Sequence, residues 1–254
     1  MKRKILIILS LCLSIVLPNV VHSADGILNI ASAANLTYVM PELITEFESD
    51  HKNVNVRLSL ASTGALYSQI RNGAPYDIFL AADEKRPTLL YKQGHTDGKA
   101  FVYAKGSIVL ISDKNLAVTD GLESLLSSGF KKIVIANPMH APYGMAAKEA
   151  LEGAGLWEML RPKLIYAENI GQAAHFVLSG SVQAGFLAES LLKTFKLQNL
   201  NFYPVSKESF SPILQRGVVL KRRGRASGAA RMFKKFLFSE KAKTILKKYG
   251  YGEM

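Results

Sequence analysis

Cysteine occurs once, at Cys12 in an apolar run near the N-terminus, and nowhere later. The rest of the chain therefore builds no disulfide framework, no cysteine zinc site and no thiol nucleophile. Acidic residues are scarce beside basic ones, 20 against 32, for a formal charge of +12. No G-x-S-x-G elbow, P-loop or dinucleotide-binding glycine fingerprint occurs, so hydrolase, nucleotidase and dehydrogenase chemistry lacks a carrier. Internal repeats, low-complexity tracts and long linkers are missing too. The histidines beyond residue 23, His51, His95, His140 and His175, have no zinc-like spacing. Asp77 and Asp83 flank the strand-like Ile78 to Leu80 without the further carboxylates or histidines that a metal would need, and are expected to be structural or interlobe residues.

What is present starts with a leader. Lys2, Arg3 and Lys4 precede an apolar run that Pro18 interrupts, followed by Val21, His22 and Ser23. This pattern predicts a secretory signal over residues 1–23 and export to the periplasm. Removing its three basic residues lowers the charge from +12 to +9, because all the acidic residues lie beyond it. An exported chain of roughly 230 residues without disulfides must stand on its core, and that length is ample for one large or two small α/β units. The densest basic stretch, KRRGRASGAARMFKKFLFSEKAKTILKKYG, predicts a helix from about Ala226 to Lys248. Ala229, Ala230, Phe233, Phe236, Leu237, Ile245 and Leu246 would form its apolar face and the lysines a solvated one. No nucleic-acid signature accompanies it, so no nucleic-acid partner is expected. Trp157, in GLWEML, is expected to pack at a helix end.

Short strand-like runs alternate with helical periodicity, which predicts an α/β fold with mostly parallel sheets covered by helices. Four times an apolar strand ends in a polar or small-residue loop that leads straight into a helix. LNIASAA runs into Asn35, placed as a cap before Leu36, Val39, Met40, Leu43, Ile44 and Phe47. VNVRLSLASTG offers Ser62 and Thr63 before a helix from about Ala65 to Asn72. KIVIANPMHAPYG places Tyr143 in a proline-flanked loop, and PKLIYAENIG places Glu168, Asn169 and Ile170 ahead of the helix GQAAHFVLSG.

Loops at the carboxyl ends of parallel strands gather on one edge, and helices starting there present unpaired N–H groups and the positive end of a dipole. Several such starts aimed at one point make an anion site without full positive charge. A donor-rich site of this kind prefers a fully deprotonated oxyanion. Glu168 is expected to point away or to cap its own helix. His140 is expected at most at the rim.

The segments ASAANLT, ASTGALYSQIRNGAPYDIFLAAD, ANPMHAPYGMAAKEAL, YAENIGQAAHFVLSGSVQAGFLAES and KAKTILKKYGYG resemble, in order, the periplasmic molybdate-binding proteins of ABC transporters. The resemblance implies a type II periplasmic-binding-protein fold of two α/β lobes with the ligand between them. Lobe 1 would take residues 24–103 and 206–254 and lobe 2 residues 104–205, with crossings near Tyr103 to Lys105 and Pro204 to Ser206. It places ligand contacts on Ala34, Asn35, Ser62, Thr63, Tyr143 and Ile170. Ala188 stands where some relatives place a ligand tyrosine, which Tyr143 would offset. The implied function is capture of molybdate and tungstate, with sulfate or another tetrahedral oxyanion, or a secreted enzyme or basic adhesive protein on the same fold, as alternatives. The implied partner is a membrane permease; the protein would be a monomer with no cofactor and no catalytic activity.

Overall fold

The computed structural model describes residues 26–192, 200–222 and 225–252; the leader expected at residues 1–23 lies outside them. Two five-stranded sheets organise the chain. The first has the order β2-β1-β3-β10-β4, from β1 (Gly26–Ala33), β2 (Val54–Ala61), β3 (Ile78–Ala81), β4 (Phe101–Gly106) and β10 (Ile213–Val219). The second has the order β7-β6-β8-β5-β9, from β5 (Ile108–Asp113), β6 (Ile133–Ala136), β7 (Leu164–Ala167), β8 (Ala184–Ala188) and β9 (Leu200–Pro204). β1 runs parallel to β2 and β3, and β6 runs parallel to β7 and β8. In each sheet the antiparallel strand beside the third parallel one, β10 or β5, is the strand that has just crossed from the other lobe.

The strands are fully buried where helices cover both faces. Ile78 to Ala81 and Ile133 to Ala136 read as unbroken apolar runs and have no exposed residue, as parallel strands inside α/β layers require. On one face of the first sheet, α1 (Met40–Asp50), α8 (Gly228–Leu237) and α9 (Glu240–Lys248) pack around Phe47, Phe233 and Phe236. On the other face, α2 (Thr63–Arg71) and α3 (Lys85–Lys92) pack through Leu66, Ile70 and Leu90. The second sheet is covered by α4 (Pro142–Gly153), α5 (Trp157–Leu160) and α6 (Ile170–Leu178), while α7 (Glu189–Leu192) follows β8. Trp157 packs partly buried against this core, with the Lys148 ammonium 5.5 Å from its ring centroid.

Three expectations from the sequence are corrected. The single helix predicted from Ala226 to Lys248 is two helices, because Ser239 accepts from the Ala242 N–H and starts α9 as a new N-cap. The break lets both apolar faces reach the same core. Asn35 caps no helix: a short 3-10 turn, Ala34–Leu36, intervenes, and α1 begins at Met40. The first crossing is later than Tyr103 to Lys105. Lys105 still pairs with Leu214 and with Gly252, so β4 stays in the first sheet to Gly106, and Ser107 alone makes the link to β5. The chain returns between Pro204 and Ile213.

Candidate functional site

Each loop expected to carry the site leaves the carboxyl end of a parallel strand, two from each lobe. After β1 come Ala34 and Asn35; after β2, Ser62 ends the extended chain and caps α2, its Oγ accepting from the Ala65 N–H at 3.3 Å. α2 thus begins at Thr63, two residues before the expected start. After β6 the chain turns through Asn137 to Ala141 before Pro142 opens α4, proline being favoured there because its missing N–H would have no helical acceptor. After β7, Asn169 caps α6 by accepting from the Gln172 N–H at 3.0 Å. Glu168 is exposed and its backbone N–H donates to Gln172 Oε1, so the carboxylate stays out of the site.

Ala34, Asn35, Ser62, Thr63, Tyr143 and Ile170 all line one small cavity between the lobes, joined by Ala33, Ala82, Ala141, Pro142 and Asn169. None of these side chains is charged. The cavity is small with the lobes in contact, with room for about one water-sized group, which excludes a sugar or peptide in this state. Larger clefts at the mouth between Arg86 and Glu149 and beside Lys243 and Lys247 do not share this ring of donors.

Several donors in this lining have no backbone partner among the described residues. Thr63, Tyr143 and Ile170 stand in the first turns of α2, α4 and α6, where no preceding helical carbonyl accepts their N–H groups. None of these N–H groups is among the backbone bonds made outside helices and strands. The Ser62 hydroxyl accepts from Ala65, and the Thr63 hydroxyl accepts from the Ala82 N–H at 3.1 Å, so the proton of each is left to donate. Each hydroxyl is thus pinned by a backbone bond that leaves its proton available to a ligand.

For Tyr143 a contact through either its backbone or its hydroxyl is expected. Its hydroxyl turns away from the loops and accepts from Gln215 Nε2 at 3.2 Å, against Gly106 at the crossing. Its contribution to the cavity wall is therefore the start of α4, and its ring joins a buried polar cluster behind the wall. In that cluster Asn35 Nδ2 donates to Gln215 Oε1 at 3.0 Å and to the Tyr251 hydroxyl at 2.7 Å. Tyr251 and Ser190 each donate to the Asn35 carbonyl at 3.0 Å. Gln215, Tyr251 and Ser190 were not singled out as site residues from the sequence. The visible signal was a glutamine inside the apolar strand ILQRGVV. Ala188 ends β8 fully buried and does not reach the cavity.

Burial pushes the Tyr143 and Tyr251 hydroxyls well above the ordinary tyrosine value, and the neighbouring amides offset this only in part. Both stay neutral below pH ~10. Their raised folded values add stability that is intact below that pH and is lost as pH rises above it.

The lobes are also clipped at the rim. The Gly64 N–H donates to the carbonyl of His140 at 2.9 Å, and Arg86, held by Asp83, donates to the carbonyl of Met139 at 3.1 Å. His140 itself is exposed. Asp77 is structural, accepting from the Asn29 N–H at 2.8 Å. Among the described residues no group of three His, Cys, Asp or Glu side chains could hold a metal.

Residues 28–252 match the family model described as bacterial extracellular solute-binding protein. The chain belongs to that family. Among its relatives, the molybdate-binding protein ModA of Azotobacter vinelandii is 40% identical over 227 residues, 88% of each chain. The molybdate-binding protein ModA of Rhodobacter capsulatus is 34% identical over 244 residues, covering 96% of this chain and 93% of that one. The solved periplasmic molybdate-binding protein of Azotobacter vinelandii superposes with a TM-score of 0.83 at 31% identity, over 89% of this chain and 99% of that one. The sulfate-binding protein SubI of Mycobacterium tuberculosis, at 14% identity and a TM-score of 0.71, shares the fold, over 89% of this chain and 86% of that one. As a solute-binding protein, the molecule has its cavity where the two lobes meet, and no helix among its described residues is long and apolar enough to cross a membrane.

Proposed function

We propose that this solute-binding protein captures molybdate, and tungstate with it, in the interlobe cavity and hands the ion to the permease of an ABC importer. The observation that carries the reading is the ring of neutral donors. Three helix starts and two pinned hydroxyls from both lobes line one small, uncharged space. Relatives named as molybdate-binding proteins, aligned along most of the chain, support the choice of ion.

The energy scale is adequate. Bonds to a charged partner contribute about 1.5–3 kcal/mol each, and micromolar to nanomolar affinity requires about 8–12 kcal/mol. Five to seven donors reach that range. The ion is bound intact, without cofactor or catalysis, by a monomer exported to the periplasm behind its leader. Calorimetric titration with molybdate, tungstate, sulfate and phosphate tests the reading. Tight one-to-one binding of the first two is expected; tight sulfate binding, or no heat with all four, overturns it.

Two further results are expected. Ser62→Ala and Thr63→Ala each remove one charge-assisted bond and should weaken molybdate binding about tenfold to a hundredfold while the fold persists. Unchanged affinity in both would remove these hydroxyls from the site. Affinity should also be flat between about pH 6 and pH 9, because the one ionisable side chain in the wall, Tyr143, stays neutral there. A tenfold drift across that range would point to a charged ligand-binding group.

A further inference from the structure

The contacts that join the lobes at the rim are made by the immediate chain neighbours of the cavity wall. Thr63, Ala82 and Ala141 line the cavity. One step along the chain from them stand Gly64, Asp83 and His140. Wall and rim therefore move together: parting Thr63 from Ala141 parts Gly64 from His140.

Each side of this contact is prepared within its own lobe. In lobe 2, Asn137 closes the loop after β6 on itself. Its carbonyl accepts from the His140 and Ala141 N–H groups at 3.1 and 2.9 Å, and its Oδ1 accepts from the Met139 N–H at 3.0 Å. The loop is thus held by its backbone, while the side chains of Met139 and His140 stay exposed and their carbonyls meet lobe 1. In lobe 1, Asp83 accepts from the Arg86 N–H at 2.9 Å and pairs with the Arg86 guanidinium, whose Nη2 reaches the Met139 carbonyl at 3.1 Å. The Gly64 N–H, in the first turn of α2 where no helical carbonyl accepts it, donates to the His140 carbonyl at 2.9 Å. Two successive carbonyls of one lobe meet two prepared donors of the other. Gly64 admits this approach. A Cβ there would lie 3.0 Å from both the Cα and the carbonyl oxygen of His140 and 3.1 Å from Arg86 Nη2, the three nearest atoms outside its own helix. A methyl group would therefore be a wedge between the lobes and not a fault inside α2, where alanine is the better helix former.

We propose that Arg86 and Gly64 are positioning residues that latch the closed lobes and set how long the protein holds its ion, although neither lines the cavity. This rests on the oxyanion reading given above. An enclosed ion leaves only after the walls part, and both rim bonds are lost in that movement, so they belong to the barrier for release. Capture begins with the lobes apart, before either bond exists. The latch therefore acts on the rate of escape and leaves the rate of capture alone.

The test follows the release of isotopically labelled molybdate from the full exported chain into an excess of unlabelled molybdate. Gly64→Ala should speed release about tenfold or more, because the backbone it meets can yield only by the lobes opening. Arg86→Ala should speed it about threefold to tenfold, the loss of one charge-assisted bond at an exposed position. Asp83→Asn keeps an acceptor for the Arg86 N–H but frees the guanidinium, and should fall between the wild type and Arg86→Ala. In all three the association rate should stay within about twofold of the wild type, and the melting temperature of the free protein should hold. A merely structural role would not split the two rates in this way. Release at the wild-type rate from folded Gly64→Ala or Arg86→Ala overturns the latch, as does a loss of affinity carried by slower association. A measurement on the wild-type protein does not depend on the variants folding. By hydrogen exchange, the Gly64 amide should be protected for as long as molybdate is held; fast exchange there while the label is retained overturns the proposal. Wild-type protein that retains no label would instead overturn the functional reading beneath it.

Discussion

Asn35→Asp is expected to abolish molybdate capture at pH 8. The substitution keeps the side chain's shape inside a cavity wall where it is 1% exposed. It replaces a group that can donate by one that only accepts, and it sets a negative charge beside an anion. Two unit charges about 4 Å apart repel by about 4 kcal/mol at the effective dielectric typical of proteins, which is about a thousandfold in affinity. The sign with pH follows from burial, which raises a carboxyl's pKa. Binding should be weakest at high pH and recover as pH falls and the new carboxyl protonates. Calorimetry of the variant from about pH 5 to pH 8 checks both parts, and affinity equal to that of the wild type would show that residue 35 does not face the ion.

Gly144→Ala should have the largest effect on the fold. A Cβ at this position in α4 would overlap the carbonyl of Ala136 and crowd the carbonyl carbon of Asn137, all backbone atoms of the β6 end. No side chain can yield, so helix and strand must separate. Overpacking of this kind costs about 3 kcal/mol, and for a chain of this size that is a fall in melting temperature of about 6–12 °C. The damage reaches the cavity as well. Ala136 pairs with Ala167 and the Asn137 N–H donates to the Ala167 carbonyl at 2.7 Å, so a shift at α4 carries into the loop before Ile170. Thermal unfolding and molybdate titration of the same sample should both report the loss; an unchanged melting temperature would contradict the close packing of α4 on β6.

How much of this was legible in the sequence depended on how local each signal was. The four strand-loop-helix turns were readable because each is encoded by neighbours: an apolar run, then Ser62, Pro142 or Asn169 with the chemistry of a helix start. The structure brings the six residues that the family resemblance marked in those turns to the lining of one cavity. Gln215, Ser190 and Tyr251 were not readable as part of it, since they reach Asn35 across 180, 155 and 216 positions of chain. Only the order of strands in the first sheet, with β10 beside β4, places a glutamine behind the cavity wall. The break between α8 and α9 was hidden for the opposite reason. Apolar residues recur on both sides of Ser239, so the periodicity seemed continuous, and the short cap signal of Ser239 was outweighed. Asn35 was misread as a cap because asparagine favours caps in general, whereas here a 3-10 turn places it against the other lobe.

The cavity is built from three loops of the first lobe and two of the second, and neither half encloses anything by itself. Its contents are therefore common property of two bodies joined by two short crossings. Prising the lobes apart removes half of the surrounding groups in a single movement, so affinity collapses steeply and does not taper. A partner that merely separates the halves need not reach the cargo, compete for it or change its chemistry. It has only to pull.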